Sequence, residues 1–131
     1  MSAGEWLSAS LMAHLAENAA LDPLTVFDFW PERAALPWAQ IEDPVLRGAD
    51  GAGVTGRVGT VGIVFQDGGE RPWRLRLLMG RVEEQLSSLP GDLGGDGWRL
   101  AGISLGRSRI ARGKSGWGGR SEWAVRIFRT N

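Results

Sequence analysis

Residues 71–89, RPWRLRLLMGRVEEQLSSL, decide the reading of this chain. Leu75, Leu78, Met79, Val82, Leu86 and Leu89 recur at i, i+3, i+4, i+7, i+11 and i+14, one apolar stripe on a helix of period 3.6. Arg74, Arg81, Glu83 and Glu84 take the other side. Pro72 suits a first helical turn, where its missing N–H costs nothing. Pro90 and Gly91 end the helix. Gly80 weakens it by about 1 kcal/mol against alanine, which suggests a close approach to a neighbour. A helix this amphipathic must cover something, and the strand-like runs on either side of it are the candidates. Its own role is that of a core helix.

Working upstream, Ser2 and Glu5 have the spacing of a capping box for a helix running to about residue 19. Leu7, Leu11 and Leu15 form its stripe, and the Asp22-Pro23 step stops it. Residues 26–30 (VFDFW) and 38–42 (WAQIE) read as short strands bounded by Pro31, Pro37 and Pro44. Residues 45–56 read as a Gly-rich loop, long enough to be functional or mobile. Residues 57–66 are a strand facing inward through Val61, Ile63 and Phe65, with Gly59 and Gly62 marking a bulge or close backbone approach.

Downstream of the long helix, residues 98–110 read as a strand. Its inner half carries Ile103 and Leu105, and its outer half carries Arg107 and Arg109 on the same side, as if it runs off the body. A Gly-rich tip at 113–119 bears Trp117, and a last strand at 121–129 turns Trp123, Val125 and Ile127 to one face. Trp38, Trp98 and Trp123 are read as core. The order of elements predicts one α+β domain over residues 1–131. It consists of an antiparallel or mixed sheet, two helices packed on one face and a long C-terminal β-hairpin.

Composition narrows the chemistry. At 131 residues the chain can bury a real core as one domain. It has no cysteine and a single histidine, His14, so disulfides, thiol chemistry, multi-histidine zinc sites and nearly all Ser-His or Cys-His triads are excluded. Gly113-Lys114-Ser115 lacks the upstream glycine of a phosphate-binding loop, since position 108 is serine. Glu42-Asp43 and Glu83-Glu84 are adjacent pairs whose side chains diverge. No calcium loop is present, no cofactor is implied, and the expectation is a protein without catalysis. No targeting segment or membrane-spanning run is visible, so the expected compartment is the cytoplasm.

The formal net charge is zero but unevenly spread. Residues 1–98 hold seven Arg and fourteen acids; residues 99–131 hold seven Arg, Lys114 and one acid, Glu122. Such a dipole suits head-to-tail assembly or an acidic partner, and equally a basic strand face paired to acids within the monomer. The basic hairpin with Trp117 also fits a nucleic-acid surface. An exposed Trp at a Gly-rich tip is a good interface anchor.

The stretch 26–42, VFDFWPERAALPWAQIE, resembles a signature of the tail terminator (tail completion) proteins of long-tailed, siphovirus-like phages and gene transfer agents. Val26-Phe27-Asp28, Pro31 and Pro37-Trp38 carry the match, with Trp38 in place of the more usual Tyr. The order helix, long loop, strand, helix and C-terminal hairpin fits along the whole chain. The resemblance implies a structural, non-enzymatic protein. Six copies would form a ring at the head-proximal end of the tail tube, ending tube polymerisation and joining the tail to the head connector. Its partners would be itself, the tail tube protein and the connector or stopper protein. DNA would pass through the lumen without specific binding, and the protein would move from the cytoplasm into a phage or prophage particle. On this reading the subunit or partner interface comprises Arg107, Arg109, Arg112, Lys114, Trp117 and Arg120 of the hairpin, with Leu46, Arg47, Asp50, Val54 and Arg57 in and beside the 45–56 loop. Residues 45–56 are expected to be mobile until a neighbour orders them. The alternatives are another neck component, such as a stopper or minor tail protein, or a small nucleic-acid-binding module.

Overall fold

The computed structural model describes residues 1–131. The expected long helix is α2, Trp73–Leu86, and it buries Leu75, Leu78, Met79, Val82 and Leu86. Pro72 sits one position earlier than expected, as the N-cap at φ −87° and ψ 32°. Gly80 departs from expectation. A Cβ built on it would meet no atom within 4 Å, so no neighbour approaches. Counting at 100° per residue, Gly80 lies opposite Val82, on the solvent side. Gly80→Ala is therefore expected to stabilise the isolated domain by about 0.5–1 kcal/mol in chemical denaturation. No gain would mean that the space is not free.

The first helix, α1, spans Ala3–Leu15 and buries Leu7, Leu11 and Leu15. Both halves of the capping box form: Ser2 Oγ accepts the Glu5 N–H at 3.1 Å, and Glu5 Oε1 accepts the Ser2 N–H at 3.2 Å. The helix stops at Leu15 rather than near residue 19. Asn18 diverts the chain: its side-chain amide donates to the His14 carbonyl and to Gln85 Oε1, and its Oδ1 caps a 3₁₀ turn at Ala19–Leu21. His14 Nε2 lies 2.6 Å from the Gln85 carbonyl, an acceptor only, so Nε2 carries the proton. His14 thus ties α1 to the end of α2.

Six strands follow: β1 Thr25–Phe27, β2 Trp38–Ile41, β3 Val45–Gly48, β4 Val54–Asp67, β5 Arg99–Gly113 and β6 Gly116–Thr130. The main order is β1-β2-β4-β6-β5. Only β1–β2 is parallel, so the sheet is mixed. β2 and β3 pair with successive stretches of the same edge of β4. At their junction a Cβ on Gly59 would collide with the Val45 carbonyl, and one on Gly62 would collide with Glu42 and Arg120. These are the close approaches the two glycines suggested.

Both helices cover one face. Their leucines meet Val61, Ile63 and Phe65 of β4, Trp123, Val125 and Ile127 of β6, and Ala39 and Ile41 of β2 in one core that includes Trp98. Trp38 lies outside that core. It shares the bare face with its register neighbour Gln66, and Trp30 packs edge-on against it at 5.2 Å.

Residues 45–56 are not a loop. β3 and the start of β4 form a hairpin closed by residues 49–53, where Gly53 takes φ 71° and Asp50 Oδ1 accepts the Gly56 N–H at 3.0 Å. The C-terminal hairpin does not run off the body either. β6 pairs with β4 from Val54↔Thr130 to Asp67↔Trp117. The strands are longer than alternation alone indicated, and only Lys114 and Ser115 remain as the turn.

At the far end of β4, Asp67 is 3% exposed. Arg74 of α2 grips it with two bonds, at 3.0 Å and 2.6 Å, and the Gly68 N–H adds a third at 2.8 Å. The Arg74 bond, helped by Gly68 and opposed by burial, holds the carboxyl below its ordinary range. A depressed carboxyl stabilises the fold fully above its unfolded pKa, about 3.9, and loses that contribution as pH falls through the lower folded value. Asp67→Asn is expected to cost about 1.5–3 kcal/mol at neutral pH and to flatten the acid limb of stability against pH. An unchanged acid limb would assign that limb to other carboxylates.

Candidate interaction surfaces

The hairpin places its cations differently from the expected order. Register shifts interrupt β5 between Leu100 and Gly102 and between Leu105 and Arg107. The second, at Gly106, inserts one residue and reverses the faces beyond it. Ile103 and Leu105 oppose Val125 and Trp123 on the core side, whereas Arg107 and Arg109 oppose Glu122 and Arg120 on the bare face. The two arginines are therefore not on the side of Ile103 and Leu105. The same shift turns Arg112 toward the helix side, opposite Trp117.

Trp117 is half-buried against the core rather than exposed at a tip. The Arg112 guanidinium lies 5.3 Å from its ring centroid and donates to the Glu70 carbonyl at 3.3 Å. The Trp117 Nε1 is buried without a partner. Gly116, at φ 139°, lies so close to the Asp67 carbonyl that a Cβ would strike it.

Arg120 is held by two carboxylates, Glu42 Oε1 at 2.8 Å and Glu122 Oε2 at 2.9 Å, directly above Gly62. Glu122 and then Glu42 raise the Arg120 pKa; Arg120, and at longer range Arg107, lower that of Glu122. Arg107 and Arg109 form no ion pair and, with Arg120, line an open depression of about 410 Å³. Lys114 stands exposed and unpaired at the turn.

The candidates of the β3–β4 hairpin are mostly engaged within the chain. Leu46 packs on the core beside Gly4. Asp50 pairs with Arg57 at 3.4 Å, and Arg57 also lies 5.7 Å from the Trp98 ring. Val54 is half-buried in its pairing with Thr130. Arg47 is exposed on the bare face, across Val58 from Arg126. The sequence-derived residues thus do not converge on one site. Arg107, Arg109, Lys114 and Arg47 are free, while Arg112, Trp117, Arg120, Asp50 and Arg57 satisfy one another or the body.

Sequence reasoning missed the large exposed apolar side chains Phe29, Trp30, Leu36, Trp73 and Leu77. Trp73 and Leu77 could have been found, because they fall i, i+4 on the side of α2 opposite its buried stripe. No group of three or more His, Asp or Glu side chains is arranged to hold a metal ion.

No known protein-family profile matches the chain, and a search of curated proteins finds no match. Among solved structures, a chain of the assembly described as "Virion of native gene transfer agent (GTA) particle" superposes with a TM-score of 0.69. The superposition covers 95% of this chain and 95% of that chain at 18% sequence identity. At that identity the likeness is one of fold.

Proposed function

We propose that this protein is a structural subunit of a phage-like particle of the gene-transfer-agent type. Within it, six copies form the terminator ring that ends the tail tube and receives the head connector. The observation that carries this reading is the fold shared with a virion chain over 95% of both chains. The order Val26-Phe27-Asp28, Pro31, Pro37-Trp38 agrees with it independently. A neutral chain that is acidic over residues 1–98 and basic over residues 99–131 suits repeated head-to-tail contact.

In this role the partners are other copies of the chain, the tube protein and the connector. Arg107, Arg109, Lys114 and Arg47 supply charge that steers joining and sets register. With Trp117 packed under Arg112, apolar anchoring falls to other residues. Native mass spectrometry and electron microscopy of the purified protein test the reading, with sixfold rings as the expected result, alone or on isolated tubes. A protein that stays monomeric in both settings overturns it. The free cations on the bare sheet face favour one second reading, a nucleic-acid-binding module. That reading requires a monomer that binds duplex DNA with a steep salt dependence.

A further inference from the structure

On the bare face of the sheet, the walls of the open depression of about 410 Å³ are three side chains and nothing else, those of Arg107, Arg109 and Arg120. The depression depends on one inserted residue. With regular alternation β5 would carry Arg107 and Arg109 to the helix side beside Leu105; the insertion at Gly106 brings them round to the bare face. Such bulges interrupt the ladder and recur beside functional sites, where they re-aim a side chain. For the chain alone the outcome is unfavourable. Arg109 lies directly opposite Arg120 in the β5–β6 register, and like charges so placed repel. The nearby carboxylates do not relieve this. Glu122 and Glu42 are bonded to Arg120, through its Nη1 and Nη2, and neither pairs with Arg107 or Arg109. Asp43 turns away toward α1, where it lines a pocket with Glu5 and Ser8. Glu32 and Arg33 cancel each other in the β1–β2 connection, at the opposite edge of the sheet. Farther along the same face the next charges are again positive, the exposed Arg47 and Arg126.

We propose that Arg107, Arg109 and Arg120 form a binding site for one phosphate group, carried either by free inorganic phosphate or by a nucleic-acid backbone. Strand rise sets Arg107 and Arg109 about 7 Å apart on one face of β5, with Arg120 across from Arg109. The two free guanidinium groups therefore reach different sides of an anion held between them. A phosphate offers oxygens in tetrahedral directions and accepts the paired N–H donors of both at once, whereas a planar carboxylate is filled by one such fork. Arg120 adds charge from a position that Glu42 and Glu122 already fix, so little ordering is needed when the anion arrives. The anion in turn removes the repulsion between Arg109 and Arg120. This site is a property of the single chain and does not depend on the ring reading.

The test titrates the full chain with inorganic phosphate at constant ionic strength, chloride being the anion replaced. Phosphorus NMR follows the anion whatever the size of the protein assembly. Wild type is expected to bind phosphate saturably. Arg107→Gln with Arg109→Gln should weaken binding about tenfold or more. Arg47→Gln with Arg126→Gln removes the same charge from the same face and should change it less than about twofold. Equal weakening in the two pairs overturns the site, because it reports only the overall field of the face. So does a wild-type response that rises without saturating. A short DNA duplex then identifies the source. A duplex that displaces phosphate from wild type, and that binds the Arg107–Arg109 variant more weakly, supports the site as a contact for a nucleic-acid backbone. A duplex that leaves phosphate in place supports it as a site for the free ion. Assembly is not part of the readout, so loss of this site leaves the ring reading standing, and a chain that never forms rings leaves the site standing.

Discussion

Leu78→Ala is expected to destabilise the domain by about 2–5 kcal/mol, a large share of the roughly 5–15 kcal/mol of total stability usual for a folded domain. Leu78 is 1% exposed and belongs to the core that α2 shares with the sheet. Removing its three outer carbons forfeits their transfer from water and leaves a cavity that the leucines of α1 and the strand side chains cannot fill without leaving their own positions. At about 3–4 °C per kcal/mol for a domain of this length, the midpoint of thermal unfolding should fall by roughly 6–20 °C. The neighbouring position is the control. Leu77 is 53% exposed, and Leu77→Ala should change stability by less than about 0.5 kcal/mol. Similar losses at the two positions, read by calorimetry, would mean that α2 is rotated about its axis from the face described.

The contrast between Leu77 and Leu78 shows what was legible in the sequence. Periodicity separates the two residues because a helix buries one stripe whatever lies beneath it, and the Ser2–Glu5 cap is visible because it closes within one turn. The α+β order followed from such local signals. The bulge at Gly106 was not legible. Whether β5 carries one extra residue depends on how it registers with β6, and that register is set by a partner strand 15 or more positions away in sequence. Reading β5 as regular alternation therefore put Arg107 and Arg109 on the wrong face. Residues 45–56 failed for a related reason. Val45 and Leu46 are too short an apolar run to signal a strand, yet β4 offers an edge that β3 completes with backbone bonds while Leu46 packs on the core. Trp117 looked exposed because its glycine neighbours mark a turn; those glycines instead let the strand press against the Asp67 end of β4.

Arg107→Glu combined with Arg109→Glu should leave the isolated domain folded and its joining to an acidic neighbour strongly slowed. Both side chains are exposed and neither forms an ion pair, so no intramolecular bond is lost, and the stability change should stay within about 1 kcal/mol. The electrostatic change is larger. Arg120 is already held by Glu42 and Glu122, so the positive field of this part of the bare face comes from the two free arginines. Reversing both surrounds Arg120 with four carboxylates and inverts that field. Steered association is fast because opposite fields act before contact, and losing them lowers on-rates by about 10–1,000-fold at low ionic strength. Near 1 M salt, where screening acts within about 3 Å, wild type and variant should join at similar rates. Stopped-flow light scattering of ring or head–tail joining across a salt series measures this. Equal rates at low salt would show that Arg107 and Arg109 do not steer the proposed joining.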